Sequence, residues 1–270
     1  MKIISFNINS VRARPHQIEH LRDALDPDVI GLQETKVNDP EFPTDLINEI
    51  GYHAEYWGQK GHYGVAILSK NKPISTVKGF IGDSEEDQKR FIQSTFQFGD
   101  QELTVMNGYF PQGENINHET KFPKKIKFYS DLKEHINNLQ KTSSNMIVMG
   151  DFNVSPEDID IGIGEQNAKR WLREGKTSFQ PQERDMWNSI KNLGFVDTWR
   201  EIYPEESKIY SWFDYRSRMF DQSPKRGLRI DHILLSENLK GNIHEVGIDY
   251  DARAMEKPSD HCPVWLDLNE

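Results

Sequence analysis

The chain has 270 residues, 36% hydrophobic and 28% charged, and its 33 Lys and Arg against 43 Asp and Glu give a formal net charge of −10. That length supports a substantial core in one large or two small domains; no apolar stretch approaches the ~20 residues of a membrane span, and the single cysteine, Cys262, excludes an internal disulfide. The first residues run straight into a strand-like pattern with no signal-peptide layout, so a cytoplasmic protein with no membrane association is expected, monomeric by default.

The opening KIISFN, residues 2–7, predicts a strand ending on Asn7, with Asn9 two positions further. Pro15 can start a helix in which Ile18, Leu21 and Leu25 repeat at three and four. VIGLQ at 29–33 is the next buried run and delivers Glu34 at its end, and strand, helix, strand is the opening of a layered α/β fold. Strands follow at 52–57, 64–69, 74–79, 91–98 and 103–109, several joined by links short enough for hairpins. The last of them ends on Tyr109. A helix is predicted over 122–139, with Pro123 near its start and Ile126, Tyr129, Leu132, Ile136 and Leu139 in the three-four period. It leads into 146–149, an uninterrupted apolar run of the kind buried on both faces of a sheet. Gly150 stops that run, and Asp151 and Asn153, two apart, point the same way if the chain stays extended. Beyond lie a loop over 155–167, a helix through Trp171, a helix over 182–193, and strands at 210–213, 228–236, 245–250 and 264–268. No Pro/Gly/Ser-rich or low-complexity stretch divides the chain, so residues 1–270 read as one domain with two packed sheets and outer helices.

Sorted by position, the polar residues fall into a pattern. Asn7, Glu34, Tyr109, Asp151 and Asn153 each stand at or just past the end of an apolar run, and Asp260 and His261 stand just before the last one. Strand ends are where α/β proteins build sites. Scattered carboxylates without thiolates or paired histidines suit a hard, oxygen-loving cation, Mg²⁺ or Mn²⁺ rather than zinc. An acidic total suits a site that concentrates such cations, but it counts against a polyanionic partner. Local basic runs partly answer that objection: four lysines within 121–127, and Lys225, Arg226 and Arg229 close together. In a strand over 229–235, Asp231 and His232 face opposite sides, which leaves Asp231 free to orient a histidine from elsewhere, with His261 the candidate. Such a carboxylate fixes the tautomer and favours the imidazolium, which can face a phosphate oxyanion. G-x-S-x-G, P-loop and dinucleotide fingerprints are absent, and DIGIG at 160–164 has the wrong spacing for the last. Metal-assisted hydrolysis of a phosphate ester remains.

The segments FNINSVRAR, DVIGLQETK, GQKGHYGVA, NGYFPQGE, GDFNVSP, DIGIGEQN, KRWLREGK, SWFDYRS, RGLRIDH and EKPSDHCPVW occur in an order that closely resembles the bacterial exonuclease III family, within the endonuclease/exonuclease/phosphatase superfamily. The likeness spans nearly the whole chain, from Lys2 to Trp265. It implies a four-layered α/β sandwich, two mixed β-sheets packed face to face with helices on the outside. It also implies an Mg²⁺-dependent DNA-repair phosphodiesterase, with Mn²⁺ able to substitute, acting on double-stranded DNA: a 3′–5′ exonuclease that also incises 5′ to abasic sites and removes 3′-blocking groups.

Carried onto this sequence, the resemblance makes Glu34 the main metal ligand with Asn7 beside it, and Asp260 a further ligand or a support just behind. Asp151 would position and deprotonate the attacking water with help from Asn153. Tyr109 would contact the phosphate, and His261, held by Asp231, would stabilise the pentacovalent charge. Trp212, Leu228 and Ile230 match positions lining a pocket for a base-less deoxyribose, and Gln112 and Arg216 match phosphate or backbone contacts. Cys262 reads as a small buried residue rather than a nucleophile. His232 departs from the family pattern, which usually has an apolar residue there. The rival readings are a superfamily phosphomonoesterase acting on inositol or lipid phosphates, which would not need RGLRID with Trp212, and a non-catalytic nucleic-acid-binding module, which would not need Glu34, Asp151 and His261 together.

Overall fold

The first two apolar runs become β1 (Lys2–Asn7) and β2 (Val29–Gln33), parallel neighbours with Ile3 opposite Val29 and Asn7 opposite Gln33, and β2 is buried along its whole length. Between them α1 (Pro15–Leu25) starts on its proline and buries Ile18 and Leu21 against the sheet. The computed structural model describes residues 1–84 and 86–270. After β2 come α2 (Thr44–Ile50), β3 (His53–Trp57), β4 (Val65–Ser69), β5 (Ser75–Lys78), β6 (Phe91–Phe98), β7 (Gln101–Tyr109), α3 (Lys121–Leu139) and β8 (Met146–Asp151). The last part holds α4 (Glu165–Glu174), α5 (Pro181–Lys191), β9 (Phe195–Asp197), α6 (Thr198–Ile202), β10 (Asp231–Ser236), β11 (Ile243–Ile248), α7 (Tyr250–Ala254) and β12 (Val264–Leu268).

These strands form two six-stranded sheets, in the orders β11-β12-β1-β2-β4-β3 and β5-β6-β7-β8-β10-β9. Each is mixed in the same way: one parallel pair at its centre, β1 with β2 and β7 with β8, each joined through a helix, and antiparallel neighbours outside. The sheets pack face to face through Ile3, Val29 and Ile67 of one and Ile92, Val105, Ile147 and Ile233 of the other. Helices α1 and α2 cover the outer face of the first sheet, and α3 and α5 that of the second. This is the four-layered α/β sandwich with two mixed sheets that the sequence resemblance implies.

A polar side chain reaches across the apolar interface between the sheets. Asn107 of β7 donates through Nδ2 to the carbonyls of Leu32 and Ala66 in the opposite sheet, both at 2.9 Å, and its Oδ1 accepts from Gln33 Nε2 at 2.6 Å. A buried carboxamide is tolerated when its donors and acceptor are all used. Gly31 makes room for it, since a Cβ there would sit 2.9 Å from Asn107 Cγ and 2.3 Å from Met149 Cε.

Several elements differ from the sequence expectations. The segments expected as strands at 210–213 and 228–230 contribute isolated bridges, in which Trp212 exchanges backbone hydrogen bonds with Leu228, and β10 proper begins at Asp231. The strand expected to run to 250 ends at Ile248, because Asp249 accepts from the backbone N–H groups of Asp251 and Ala252 and caps α7. The loop expected over 155–167 already holds the first turn of α4. Two residues counted toward a basic face are not on the surface: Lys125 is fully buried against Glu183, and Arg229 is buried against Asp160 and Asp197.

Candidate active site

The ends of six strands meet on one rim of the sandwich. Asn7, Glu34, Tyr109 and Asp151 lie at or just past the C-terminal ends of β1, β2, β7 and β8, while Asp231 opens β10 and His261 precedes β12. Because β10 runs antiparallel to β8, its first residue falls opposite the last residue of β8, and the register pairs Asp231 with Asp151 and Asp151 with Tyr109. Gly150 allows β7 and β8 to close up there, since a Cβ on it would lie 1.9 Å from the Gly108 carbonyl oxygen. The backbone turns sharply just beyond the strands. Asn9, Glu34 and Asn153 all take left-handed φ values, 49°, 52° and 52°, a conformation that costs non-glycine residues energy and concentrates at functional sites.

His261 Nδ1 lies 2.9 Å from Asp231 Oδ2 and 3.0 Å from Oδ1, which leaves Nε2 facing the cleft 3.8 Å from Asp151 Oδ2. Burial opposes charge on His261, but the Asp231 carboxylate outweighs it, with Asp151 adding, and holds the imidazolium above its usual range. Burial pushes the Asp151 carboxyl above the ordinary carboxylate range, with the His261 charge pulling the other way. Asp151 is also aimed: Asn7 Nδ2 donates to its Oδ2 and the Asn153 backbone N–H to its Oδ1, both at 3.0 Å. Asn153 Nδ2 in turn donates to the Phe110 carbonyl.

Across the cleft Glu34 accepts from the Tyr109 hydroxyl and pairs with Lys36 Nζ at 2.8 Å. Burial works against its charge, yet Lys36 and Tyr109 outweigh that and hold the carboxyl below its usual range. Burial, with Glu34 second, pushes the Tyr109 phenol well up, so it stands as a neutral O–H donor. Arg90 lies over both the Tyr109 and Tyr63 rings, 4.5 and 4.2 Å from their centroids, and fixes the phenol from behind. Asp260 accepts from Asn9 Nδ2 at 3.0 Å and from the Trp212 indole N–H at 3.1 Å.

The donor set fits a hard divalent cation. Glu34, Asn7, Asp151 and Asp260 offer oxygen, and the one nearby thiol, Cys262, is buried and held protonated by that burial. The Lys36 ammonium already occupies a cation-accepting corner, 2.8 Å from Glu34 Oε2 and 2.6 Å from Asn9 Oδ1. Asp151, Asp231 and His261 bring their ligand atoms within 4.8 Å of one another. Of these, His261 Nδ1 is committed to Asp231, so the trio is better equipped to move a proton than to hold a metal by itself.

Glu34, Tyr109, Asp151, Asp260 and His261 line a cleft of about 270 Å³ together with Gln112, Asn153, Trp171, Ser178, Trp212, Leu228 and Ile230. Its apolar wall continues inward from Leu228 and Ile230 to Ile163 and Phe179, and Trp171 stacks flat on Phe179. Every sequence-derived candidate but one reaches the cleft or contacts a residue that does. Arg216 is the exception, exposed on the 214–218 loop. Asn9, Lys36, Trp171 and Ser178 are residues the sequence reading did not assign to the site. Lys36, two positions after Glu34, and Asn9, two after Asn7, repeat the spacing that singled out Asp151 and Asn153, whereas nothing in KRWLREGK or in the sequence near Ser178 points to a cleft.

The sandwich and the acid and imidazole cluster on its rim define one class of protein, and the chain belongs to it: residues 4–261 match the model of the Endonuclease/Exonuclease/phosphatase family. Within that class the chain is 52% identical over 268 residues to exodeoxyribonuclease III of Haemophilus influenzae, an alignment covering 99% of this chain and 100% of that protein. Two solved structures are similar along their whole length, with 100% of both chains covered. One is a 3′ phosphatase from Neisseria bound to a product DNA hairpin, at a TM-score of 0.91 and 32% identity. The other is an AP endonuclease from Archaeoglobus fulgidus, at 0.87 and 35%.

Proposed function

We infer that the protein is a DNA-repair nuclease of the exodeoxyribonuclease III type, a single domain that incises duplex DNA 5′ to abasic sites and removes nucleotides or blocking groups from 3′ ends. Mg²⁺ is its cofactor, and Mn²⁺ can replace it. The observation that carries this reading is the placement of Asp151 beside the free nitrogen of an Asp231-held His261, in a cleft also lined by Trp212, Leu228 and Ile230. An apolar wall next to phosphate chemistry suits a sugar stripped of its base, since unpairing costs least where no base is stacked. It would go unused on an inositol phosphate. All the groups come from one chain, in keeping with a monomer, and the bacterial relative supports a cytoplasmic location.

Asp151 takes the proton of the attacking water. Its raised affinity for protons brings it closer to the pH at which it works, and Asn7 and Asn153 hold its two oxygens in line. His261, charged and oriented by Asp231, donates through Nε2 to a phosphate oxygen as negative charge builds on it. The Tyr109 hydroxyl, released from Glu34, donates to the same phosphoryl group. When bound, the cation, held by Glu34 with Asn7 and Asp260, supplies charge neutralisation at the scissile phosphate. The test is an end-labelled duplex carrying one abasic analogue, incubated with Mg²⁺ or with chelator and sized on a gel. A product cut 5′ to the analogue, present only with the metal, is expected; intact substrate in both lanes refutes the reading.

A further inference from the structure

The turn that carries the proposed base and its neighbour is held from beneath in an unusual way. Three successive carbonyls after Asp151 accept from buried side chains rather than from backbone: Phe152 from the Tyr129 hydroxyl at 3.0 Å, Asn153 from Lys125 Nζ at 2.9 Å, and Val154 from His232 Nε2 at 2.8 Å. Of the three donors only Lys125 is a full cation with no exposure. Its ammonium reaches three acceptors, the carbonyls of Asn153 and Gln112 and the carboxylate of Glu183, which matches its three N–H bonds. The other oxygen of Glu183 accepts from the backbone N–H groups of Ser178 and Gln180 at 2.8 and 2.9 Å. Gln112, Asn153 and Ser178 all line the cleft, so one ion pair beneath its floor ties three of its walls together.

A buried ion pair is a poor device for stability alone, because the desolvation of two charges offsets their attraction and an apolar pair of similar volume does as well or better. What it supplies here is direction. Asn153 sits in the left-handed region, where its N–H turns back to Asp151 Oδ1 and its side chain bonds Phe110. A charge-assisted hydrogen bond on its carbonyl, stronger than a neutral one, fixes the peptide plane that follows Asn153, while the Tyr129 hydroxyl on the Phe152 carbonyl holds the plane that carries the Asn153 N–H.

We propose that Lys125, anchored by Glu183, is a positioning residue for phosphodiester hydrolysis: by fixing the peptide plane that follows Asn153 it holds that residue in its left-handed turn and thereby aims the Asp151 carboxylate at the attacking water. The proposal rests on the hydrolase reading of the cleft given above. Lys125 is fully buried and does not line the cleft, and nothing in its role requires it to titrate.

The test replaces both charges at once, Lys125→Met with Glu183→Gln, so that no unpaired charge stays buried. Steady-state kinetics on a duplex bearing one tetrahydrofuran abasic analogue, with Mg²⁺, separate kcat from KM. A control, Leu266→Ala, opens a cavity between the sheets away from the cleft and lowers Tm without touching this network. A fall in kcat of tenfold or more, with KM within threefold and the control within twofold of wild type, is the expected result. A fall of less than threefold, or an equal fall in the control, overturns the proposal. Should the double variant not fold, Glu183→Gln alone keeps the side-chain volume while removing the charge and setting an amide N–H against either the ammonium or the Ser178 and Gln180 N–H groups, and a kcat unchanged within twofold there overturns it equally. The wild type is run alongside: if it leaves the substrate intact, the hydrolase reading fails instead, and the two failures are told apart.

Discussion

Asp151 and His261 depend on each other for their protonation states, and both depend on what lies behind them. Asp231 supplies the charge that keeps His261 an imidazolium, and burial supplies the proton affinity of Asp151. Asp151→Asn preserves shape and the contact with Asn7 but cannot accept a proton. Cleavage of abasic duplex should fall by on the order of 10² or more, while binding measured by mobility shift in chelator stays within a few-fold; retained turnover above a few per cent would reject the base assignment. His232, on the opposite face of the same strand start, is the contrary case. Arg229 Nη1 donates to its Nδ1 and its own Nε2–H donates to Val154, an arrangement possible only for the neutral ring. Burial, with the Arg229 charge adding, pushes its pKa down to about 4 from 6.5, and the nearby carboxylates of Asp197 and Asp160 do not reverse this. A histidine with a depressed folded pKa stabilises the fold fully above ~6.5 and loses that contribution as pH falls toward 4. The unfolding free energy of wild type minus that of His232→Leu should therefore drop by ~3 kcal/mol between pH 7.5 and pH 4, and a difference independent of pH would contradict the neutral assignment.

At the scale of elements, the central strands were legible because strands buried on both faces need uninterrupted apolar runs, and KIISFN, VIGLQ and MIVMGD supply them. The short elements were not. α6 and α7 have five residues each and β9 three, too short for a period to register; Asp197 and Asp249 cap the two helices, and β9 forms by pairing with β10. Two bridge segments make the apolar wall of the cleft, with Trp212 and Leu228 exchanging backbone bonds and Trp212 also bonded to Asp260. Trp212→Ala removes the wall and one orienting bond on a proposed ligand together. Abasic-site incision should fall at least as far as 3′ trimming, by about tenfold or more, in paired assays on the two substrates; an unchanged incision rate would exclude the pocket. Asn107 joins elements of opposite sheets, a role no local pattern encodes. Asn107→Ala strands two carbonyls and the Gln33 amide, and should cost about 3 kcal/mol in urea unfolding. A loss within 0.5 kcal/mol would mean that the crossing bonds contribute no net stability.

The two sheets repeat one plan, a helix-linked parallel pair with antiparallel flanks, and facing them brings the C-terminal ends of both parallel pairs to one rim. That explains how residues 7, 34, 109, 151, 231 and 261 meet although they are spread across the chain, and why position relative to strand ends identified them where residue type alone would not. The same plan bears on the charge problem. The chain totals −10, and two cations of its basic runs, Lys125 and Arg229, are consumed in buried pairs. Yet Trp171 places α4 at the cleft edge, and Arg170 and Arg173 on that helix, with Lys124, Arg216 and Arg218 elsewhere, are exposed and, among the described residues, outside every ion pair. Affinity for a polyanion follows the phosphates neutralised locally rather than the net charge of the protein, each contributing about −0.9 to the slope of log K against log salt. Binding of chelated enzyme to abasic duplex should therefore weaken with a slope of several, and Arg170→Glu with Arg173→Glu should reduce its magnitude by ~2 without altering the position of the cut. A flat salt response in the wild type would mean that the acidic total governs the encounter and that no basic rim meets the DNA.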